Sequence, residues 1–398
     1  MNTQILKTAM IILASDFLIA GACSNGFCGV TVPHIPTDIQ NSTQLKPFNA
    51  SNKKTINDGY SVWGLVDNGG DDTTGEYRFM LGTDVNSLLD ANDKLSLFGL
   101  ITNENVTSGR VSYAYTLPWK NIIVEASYIN TNYSLNEPIP GATGIGTTDS
   151  IEGKITYPFI DSVNKKLNFS LSFNNNNIGE EIDNGFNIIN SDKSSYSATA
   201  VIDFETKNYL NTDHKLSVGI TTGDLSFDDR FNEQIDKLGA NVQGSYTKIN
   251  LDYKNTASLS QNISLESSFR SQYALNDKNL DDSESISVGG MNGVKLYEEG
   301  SVYDSNGYFV NIEGKYKLPE FKGVKNTIGA FYDLGQIWES DSLTNSDTIT
   351  VQDAGIGIYT HYKKFFSKIQ AAVEVGNSKV SPKDDEDYRI LFQTGFVF

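Results

Sequence analysis

Most of the chain alternates between apolar and polar residues. From Tyr60 to the C-terminus, apolar side chains occupy every second position of one run after another. Because successive side chains of a β-strand point to opposite faces, this period of two predicts strands with one apolar and one polar face. The clearest runs cover 110–117, 122–128, 167–174, 248–253 and 308–318. The sequence therefore predicts an all-β protein.

Two all-β architectures fit this alternation, a soluble sandwich and a transmembrane barrel. The runs often reach the length of about ten residues that a tilted transmembrane strand requires, and aromatic residues often begin or end their apolar faces. Connections alternate between tight ones, such as 117–121 and 319–323, and long ones, predicted at 134–147, 176–194 and 276–306. These features favour a transmembrane outer-membrane β-barrel of about 16 antiparallel strands over residues 59–398.

The last run supports the same interpretation. It alternates as far as Phe396 and Phe398, and the sequence stops on this aromatic residue. A terminal strand that ends on an aromatic residue is what the bacterial barrel-assembly machinery recognises. We therefore expect Phe396 and Phe398 to form the assembly signal.

The first 58 residues differ from the rest. Residues 1–22 carry one cation, Lys7, before an apolar stretch with a small-residue end, which is the pattern of a secretory signal peptide, although Asp16 interrupts it. Cys23 follows directly, so lipidation of Cys23 and a disulfide with Cys28 are both open. Residues 23–58 are rich in Pro, Asn, Thr and Ser and are interpreted as a linker. An exported barrel is expected.

Composition narrows the possible functions. The formal net charge is -18, from 49 acidic and 31 basic residues, which argues against nucleic acid because phosphates require clustered cations. His34, His214 and His361 are far apart, so no metal site is predicted. Phosphate-binding and nucleophile motifs are not found, so neither a cofactor nor catalysis is expected. The stretch 277–281 only faintly suggests a calcium loop, because the motif's later Gly and Glu are missing.

Two short segments carry the candidate chemistry. The first is a loop segment formed by Val294, Lys295, Leu296 and Tyr297. The second lies in a predicted strand, where a spacing of two places Phe331, Asp333 and Gly335 on one face. Asp333 is therefore expected to point into the lumen. From the residues alone, Lys295 and Asp333 are open as two unrelated solvated charges. Glu313, on the lumenal face of a neighbouring strand, is expected to be a third member of this group.

Together with the segments 66–70, 74–77, 84–97 and 115–118, and in this order along the chain, the two segments resemble the ShlB/FhaC/HecB family, the haemolysin secretion/activation proteins or TpsB transporters of two-partner secretion. The resemblance extends over 60–398. In that family a Val-Arg-Gly-Phe/Tyr tip of the sixth extracellular loop, loop 6, folds back into the lumen, and a Phe-x-Asp-x-Gly motif lies on the lumenal face of the thirteenth strand. The resemblance implies that Lys295 meets Asp333. The second motif is intact here, whereas Lys295 replaces Arg and Leu296 replaces Gly, which implies either a weaker loop anchor or a differently placed loop.

The resemblance implies an outer-membrane pore that moves a partner exoprotein of the haemolysin or adhesin type, with loop 6 as its plug or gate. It also implies contact with outer-membrane lipid and lipopolysaccharide, and the acidic run 384–387 offers divalent bridging as an alternative to a solvated surface. The family places two POTRA domains before the barrel, and residues 23–58 are too few for one. A truncated, non-functional barrel is therefore one alternative.

Two further alternatives are open. A passive porin-like solute channel fits the same barrel wall. An outer-membrane enzyme is disfavoured, because His214 and His361 are predicted near the turns of the inner rim rather than near the outer rim.

Overall fold

The computed structural model describes residues 59–398 except 72–73, 137–142, 184–187, 210, 341–347, 377, 379 and 381–386. The predicted signal peptide, the linker, both cysteines and His34 lie outside the described residues, as does most of the acidic run 384–387. Within the described part of the chain, no helix combines the length and the apolar character needed to cross a membrane.

Sixteen antiparallel strands close into a barrel, which confirms the predicted fold and strand number. Each strand pairs with its neighbours in the chain, and the last strand pairs with the first. In chain order the barrel strands are β1 (Tyr60–Asp67), β2 (Arg78–Asn86), β3 (Asp93–Thr102), β4 (Thr107–Leu117), β5 (Ile122–Asn136), β6 (Thr143–Asp161), β7 (Lys165–Asp183), β8 (Ile188–Tyr209), β9 (Thr212–Phe227), β10 (Gly244–Ser258) and β11 (Ile263–Ala274), followed by β14 (Asn306–Lys317), β15 (Val324–Trp338), β16 (Ile349–Tyr362), β17 (Phe365–Glu374) and β18 (Tyr388–Val397).

The connection between β11 and β14, residues 275–305, is loop 6. It contains a short 3-10 helix (Asp282–Glu284) and a two-stranded ribbon of β12 (Ile286–Ser287) and β13 (Tyr303–Asp304). Loop 6 agrees with the long connection predicted at 276–306. The α-helix α1 (Arg230–Leu238) lies in a different connection, between β9 and β10.

The long loops predicted at 134–147 and 176–194 are wrong. β7 and β8 have 19 and 22 residues and run through most of 176–194. β5 continues to Asn136 and β6 begins at Thr143. These strand ends are largely polar, with scattered apolar residues such as Ile145 and Ile178, because they extend past the height at which lipid demands an apolar outer face. The loss of alternation therefore marked the edge of the apolar band and not the end of the strand.

The two faces of the wall differ as a membrane barrel requires. Large apolar side chains point outward, such as Leu81 at 58% and Ile356 at 66% exposure. The lumenal face is largely polar, with hydrogen-bonded pairs such as Thr199 and Thr221. An exception lies beside the closing pair of strands, where a buried apolar group lines the lumen; it consists of Leu65, Met80, Leu100, Val106, Phe366 and Val397.

Candidate functional site

The tip of loop 6 reaches the barrel wall through Lys295. Its Nζ lies 2.6 Å from Asp333 Oδ2, and the ammonium lies 4.3 Å from the centre of the Phe331 ring. Asn311 on β14 donates from Nδ2 to Asp333 Oδ1 at 2.5 Å. Asp333 is fully buried, so the ammonium and the amide together compensate a carboxylate that would be costly without partners.

The backbone of the tip is also held by charged side chains. The Leu296 N–H donates to Asp353 Oδ2 on β16 at 2.8 Å. From β18, Arg389 Nη1 donates to the Tyr297 carbonyl at 2.9 Å and to the Lys295 carbonyl at 3.4 Å. These contacts supply hydrogen-bond partners to backbone groups of a buried loop, and the Tyr297 carbonyl also accepts from the Gly290 N–H at 2.9 Å. Neither Asp353 nor Arg389 was found from the sequence.

Apolar packing accompanies the polar contacts. Five loop side chains pack against three from the wall in one cluster: Val288, Val294, Leu296, Tyr297 and Val302 with Phe309, Ile337 and Val351. Burial of each such side chain contributes about 1.5–3 kcal/mol relative to exposure. Leu296, which replaces the family's Gly, is 1% exposed. The replacement therefore adds an apolar contact at the tip.

The two flanking positions of the strand motif allow this close fit. A Cβ atom on Gly335 would lie 2.8 Å from Val288 Cγ2, so any larger residue would displace loop 6. Phe331 covers Gly355 on the neighbouring strand, where a Cβ atom would lie 2.4 Å from Phe331 Cζ. In this motif, Phe331 therefore covers Gly355 on the neighbouring strand, and Asp333 supplies the charge that binds Lys295. Gly335 leaves the space that Val288 occupies.

Glu313 does not join the Lys295 group, and this part of the sequence-based prediction is wrong. It faces the lumen from β14, as expected, but its carboxylate accepts from the Tyr359 hydroxyl and lies 3.4 Å from Lys315 Nζ. The strand register explains why Glu313 lies apart from Lys295, because Asn311 and not Glu313 lies opposite Asp333. Asn311 and Asp353 take the places expected of Glu313.

A second anchor holds the base of loop 6 to the other side of the barrel. Lys193 on β8 lies 2.9 Å from Asp281, and Lys248 on β10 lies 2.8 Å from Glu284. Lys248 and Glu284 are 0% and 1% exposed at their side chains. Asp281, the last residue of the stretch 277–281 that faintly suggested a calcium loop, is therefore an ion-pair partner of Lys193. These ion pairs could not be predicted from a local sequence pattern, because their lysines lie on strands distant in the chain.

A third anchor joins loop 6 to the seam between β1 and β18. Arg78 on β2 lies 2.9 Å from Glu299 in the loop and 2.7 Å from Asp67 on β1. Gln393 on β18 donates to Asp67 at 3.2 Å. Loop 6 is therefore held by β8 and β10 at its base, by β15, β16 and β18 at its tip, and by β2 near its return.

The pKa values of neighbouring carboxyls at the base of loop 6 are shifted in opposite directions. Burial by itself would raise the pKa of Asp281, but Lys193 and the Ser283 hydroxyl hold that pKa below its usual value. Burial and the adjacent Asp281 raise the pKa of Asp282 well above its usual value. Burial also raises the pKa of Asp304 in β13 to about 7. Loop 6 thus carries a group, Asp304, whose protonation changes near neutral pH.

The remaining predicted residues lie at the rim with the short turns. His214 follows the turn between β8 and β9, and His361 precedes the turn between β16 and β17. Phe398 packs against Phe365 and Phe396, with ring centres 6.0 and 5.3 Å apart. Among the described residues, no group of three His, Cys, Asp or Glu side chains is arranged to hold a metal ion.

Known sequences resemble this chain over most of its length. It is 26% identical over 337 residues to the heme/hemopexin transporter protein HuxB of Haemophilus influenzae strain 86-028NP, and 24% identical to HuxB of strain ATCC 51907. In both cases 82% of this chain is covered. The chain spans 59% of the length of these relatives.

Solved structures show the same fold. CdiB from Escherichia coli superimposes with a TM-score of 0.73 at 15% identity, covering 85% of this chain and 63% of CdiB. BamA from Haemophilus ducreyi lacking POTRA domains 1–3 gives a TM-score of 0.57 at 12% identity, covering 85% of this chain and 70% of that structure. Both structures share the barrel fold of this chain. Residues 52–359 match the model of a family of secretion proteins and not of enzymes, described as haemolysin secretion/activation protein ShlB/FhaC/HecB. The chain therefore belongs to this family and is a bacterial outer-membrane protein.

Proposed function

We propose that the barrel is an outer-membrane pore through which a secreted partner protein crosses in an unfolded form, with loop 6 as its plug or gate. Family membership supports the first part, since this family consists of secretion proteins of two-partner systems. Two curated relatives bear the name heme/hemopexin transporter. The likeness to the haemolysin secretion/activation family is the basis for proposing a partner exoprotein of the haemolysin or adhesin type.

The path of loop 6 across the lumen is the observation that supports the gating role. Its base is bound to β8 and β10, and its tip to β15, β16 and β18. An extended polypeptide would meet this loop on its path through the barrel. The polar anchors are ion pairs and hydrogen bonds, which water can replace when the loop withdraws, whereas the apolar cluster favours the docked position. The loop is therefore suited to alternate between docked and withdrawn positions.

The Asp333→Asn variant tests the proposal. It removes the carboxylate that contacts the Lys295 ammonium in a buried place and leaves Asp353 as the neighbouring acid, so the docked tip should be destabilised by up to about 3–5 kcal/mol. Single-channel recordings should show more frequent or larger openings, and secretion of the cognate partner should change. Unchanged conductance together with unchanged secretion would remove the gating role.

The matched control is Asp252→Asn, a lumenal carboxyl on β10 that is not bound to loop 6. It should leave both conductance and secretion at the wild-type level. To find the partner, the gene is deleted and the secreted proteins are compared with those of the parent strain. The partner must disappear from the medium and return upon complementation.

A passive porin-like channel is the second candidate, because the barrel wall by itself would serve either purpose. It predicts steady conductance and an unchanged set of secreted proteins after deletion. A channel whose openings depend on Asp333, together with the loss of one secreted protein, would exclude it.

We also propose that Phe396 and Phe398 form the signal read by the barrel-assembly machinery, in a membrane whose lipid and lipopolysaccharide surround the wall. Phe398 is 52% exposed at the end of β18, so it is accessible to a partner. Phe398→Ser should lower the amount of folded, heat-modifiable barrel in the outer membrane. Phe321→Ser, an exposed aromatic change in a short turn, is the control and should have little effect.

A further inference from the structure

Asp353 forms a second carboxyl group next to Asp333. The two residues are register partners on β16 and β15, and both are 0% exposed. Side chains of directly opposite residues on one sheet face have Cβ atoms about 4.5–5.5 Å apart, which brings their carboxyls within hydrogen-bond reach. Asp353 Oδ2 accepts from the Leu296 N–H, whereas Oδ1 is buried without a hydrogen-bond partner. A buried carboxylate oxygen without a donor is costly.

Asp353 forms no ion pair of its own among the described residues. Asp333 lies opposite it on β15 and Glu374 lies opposite it on β17, so three acids form a row across three strands. The facing cations have other partners, because Lys295 is bound to Asp333 and Arg389 binds the tip carbonyls.

Other charged groups on these strands act on residues other than Asp353. Lys368 on β17 is the register partner of Tyr359, six positions along β16 from Asp353, and it interacts electrostatically with Lys295, Asp67 and Glu313. Glu313 is paired with Lys315. From loop 6, Tyr297 contributes only a neutral phenol. Lys295, which binds Asp333, is therefore the cation that the two adjacent carboxyls share.

We propose that Asp333 and Asp353 form a proton-binding site that holds one proton while loop 6 is docked. The proton comes from lumenal water and binds Asp353 Oδ1, and the new O–H donates to the Asp333 carboxylate. Asp333 still accepts from Lys295 and Asn311, because each carboxylate oxygen has two lone pairs. Two adjacent buried carboxyls with one counter-ion share a proton for the same reason as other close carboxyl pairs.

The proton links loop 6 to pH. When the loop withdraws, water enters, and both carboxyls can ionise in a high dielectric. Docking therefore takes up one proton, and the ratio of docked to withdrawn loop should fall by up to tenfold for each pH unit above the transition. This consequence concerns the position of the loop and is independent of whether the pore secretes a protein.

Infrared spectroscopy of the full barrel in lipid vesicles tests the site directly. A protonated carboxyl absorbs separately from a carboxylate, so the wild type should show a buried carboxylic acid band at neutral pH that shifts in D₂O and that is additional to any band of Asp282 or Asp304. This additional band should be missing from the spectra of Asp353→Asn and of Asp333→Asn, since either change removes the close pair of acids. It should persist in the control Asp252→Asn. Spectra in which neither substitution lowers the carboxylic acid absorption of the wild type overturn the proposal.

Distance measurements test the coupling. Spin labels at Asn292→Cys in loop 6 and Lys325→Cys at the inner rim report docking, with Cys23 and Cys28 replaced by Ser. The docked fraction of the wild type should fall as pH rises, and Asp353→Asn, which resembles the neutral acid, should flatten this dependence. An equally steep dependence in Asp353→Asn contradicts the proposal. If docking responds to pH while conductance does not, the proton site stands and the gate fails.

Discussion

Val288 of loop 6 packs directly onto Gly335 of β15, so closely that a Cβ atom on Gly335 would lie 2.8 Å from Val288 Cγ2 and 3.1 Å from Val294 Cγ2. Both valines are fully buried. The glycine of the strand motif therefore serves the loop and not the strand. The absence of a side chain at this one position makes the docked arrangement of the tip sterically possible.

The Gly335→Val variant should displace the tip of loop 6. Overpacking of a closely fitted contact costs about 1–3 kcal/mol, and the loop can avoid this cost by withdrawing. Trypsin cleavage after Lys295 in the folded barrel should therefore become faster. The control is Gly314→Val on β14, where nothing lies within 4 Å of an added Cβ atom. If both variants resist trypsin as the wild type does, the contact with Val288 does not govern docking.

The Lys248→Met variant should destabilise the barrel through the base of loop 6. It leaves Glu284 buried without its cation, at a cost of about 3–5 kcal/mol. The free energy of unfolding, measured by urea titration in vesicles, should fall by about this amount. Because an added Glu284→Leu change removes the orphaned charge, the double variant should recover most of the loss.

An exposed ion pair provides the comparison for that measurement. Lys237 and Glu233 on α1 lie 2.6 Å apart, with side chains 57% and 33% exposed. Solvent screens such a pair, so Lys237→Met should change the free energy of unfolding by less than about 0.5 kcal/mol. Equal losses in Lys237→Met and Lys248→Met would show that burial does not set the strength of the base anchor.

Asp304 should make the folded loop 6 less stable as pH rises. Its pKa of about 7 results from burial, partly opposed by the Ser305 N–H. An unfolded aspartate has a pKa of about 3.9, so the folded loop binds the proton more tightly. The stabilisation is complete below about pH 4 and is lost as pH passes through about 7.

The Asp304→Asn variant isolates this contribution. It removes the titrating group, so the decrease in unfolding free energy between pH 5.5 and pH 8 should be smaller than in the wild type. Asp333 and Asp353 are intact in this variant, so their response to pH remains. An unchanged pH dependence would assign the whole effect to groups other than Asp304.

A charged residue on the outward face of β2 should destabilise the barrel. Leu81 is 58% exposed on the lipid side near the middle of its strand, and Leu81→Arg should cost about 2–4 kcal/mol. Ser217→Arg is the matched control, because Ser217 lies on the lumenal face of β9 between its register partners Asp203 and Asp252. Urea unfolding in vesicles should show a loss only for the first variant. Equal losses would contradict the assignment of the two faces.

Local pattern determined much of what was predicted for this protein. Alternation with period two is a property of each strand by itself, so the strands, the apolar outer face and the common face of Phe331, Asp333 and Gly335 follow from the residues alone. The long connection that became loop 6 was visible for the same reason. The pattern failed at β7 and β8, because outside the lipid band a strand no longer needs an apolar face.

Only the tertiary structure decided which side chains meet across the lumen. The register between strands places Asn311 and Asp353 beside Asp333 and sends Glu313 to Tyr359. The closure of the barrel brings Lys193 and Lys248 to the acids at the base of loop 6. These contacts depend on strand register and loop path, which are set by the closed cylinder as a whole. The sequence of a single strand shows its own alternation but does not determine its register with the neighbouring strands.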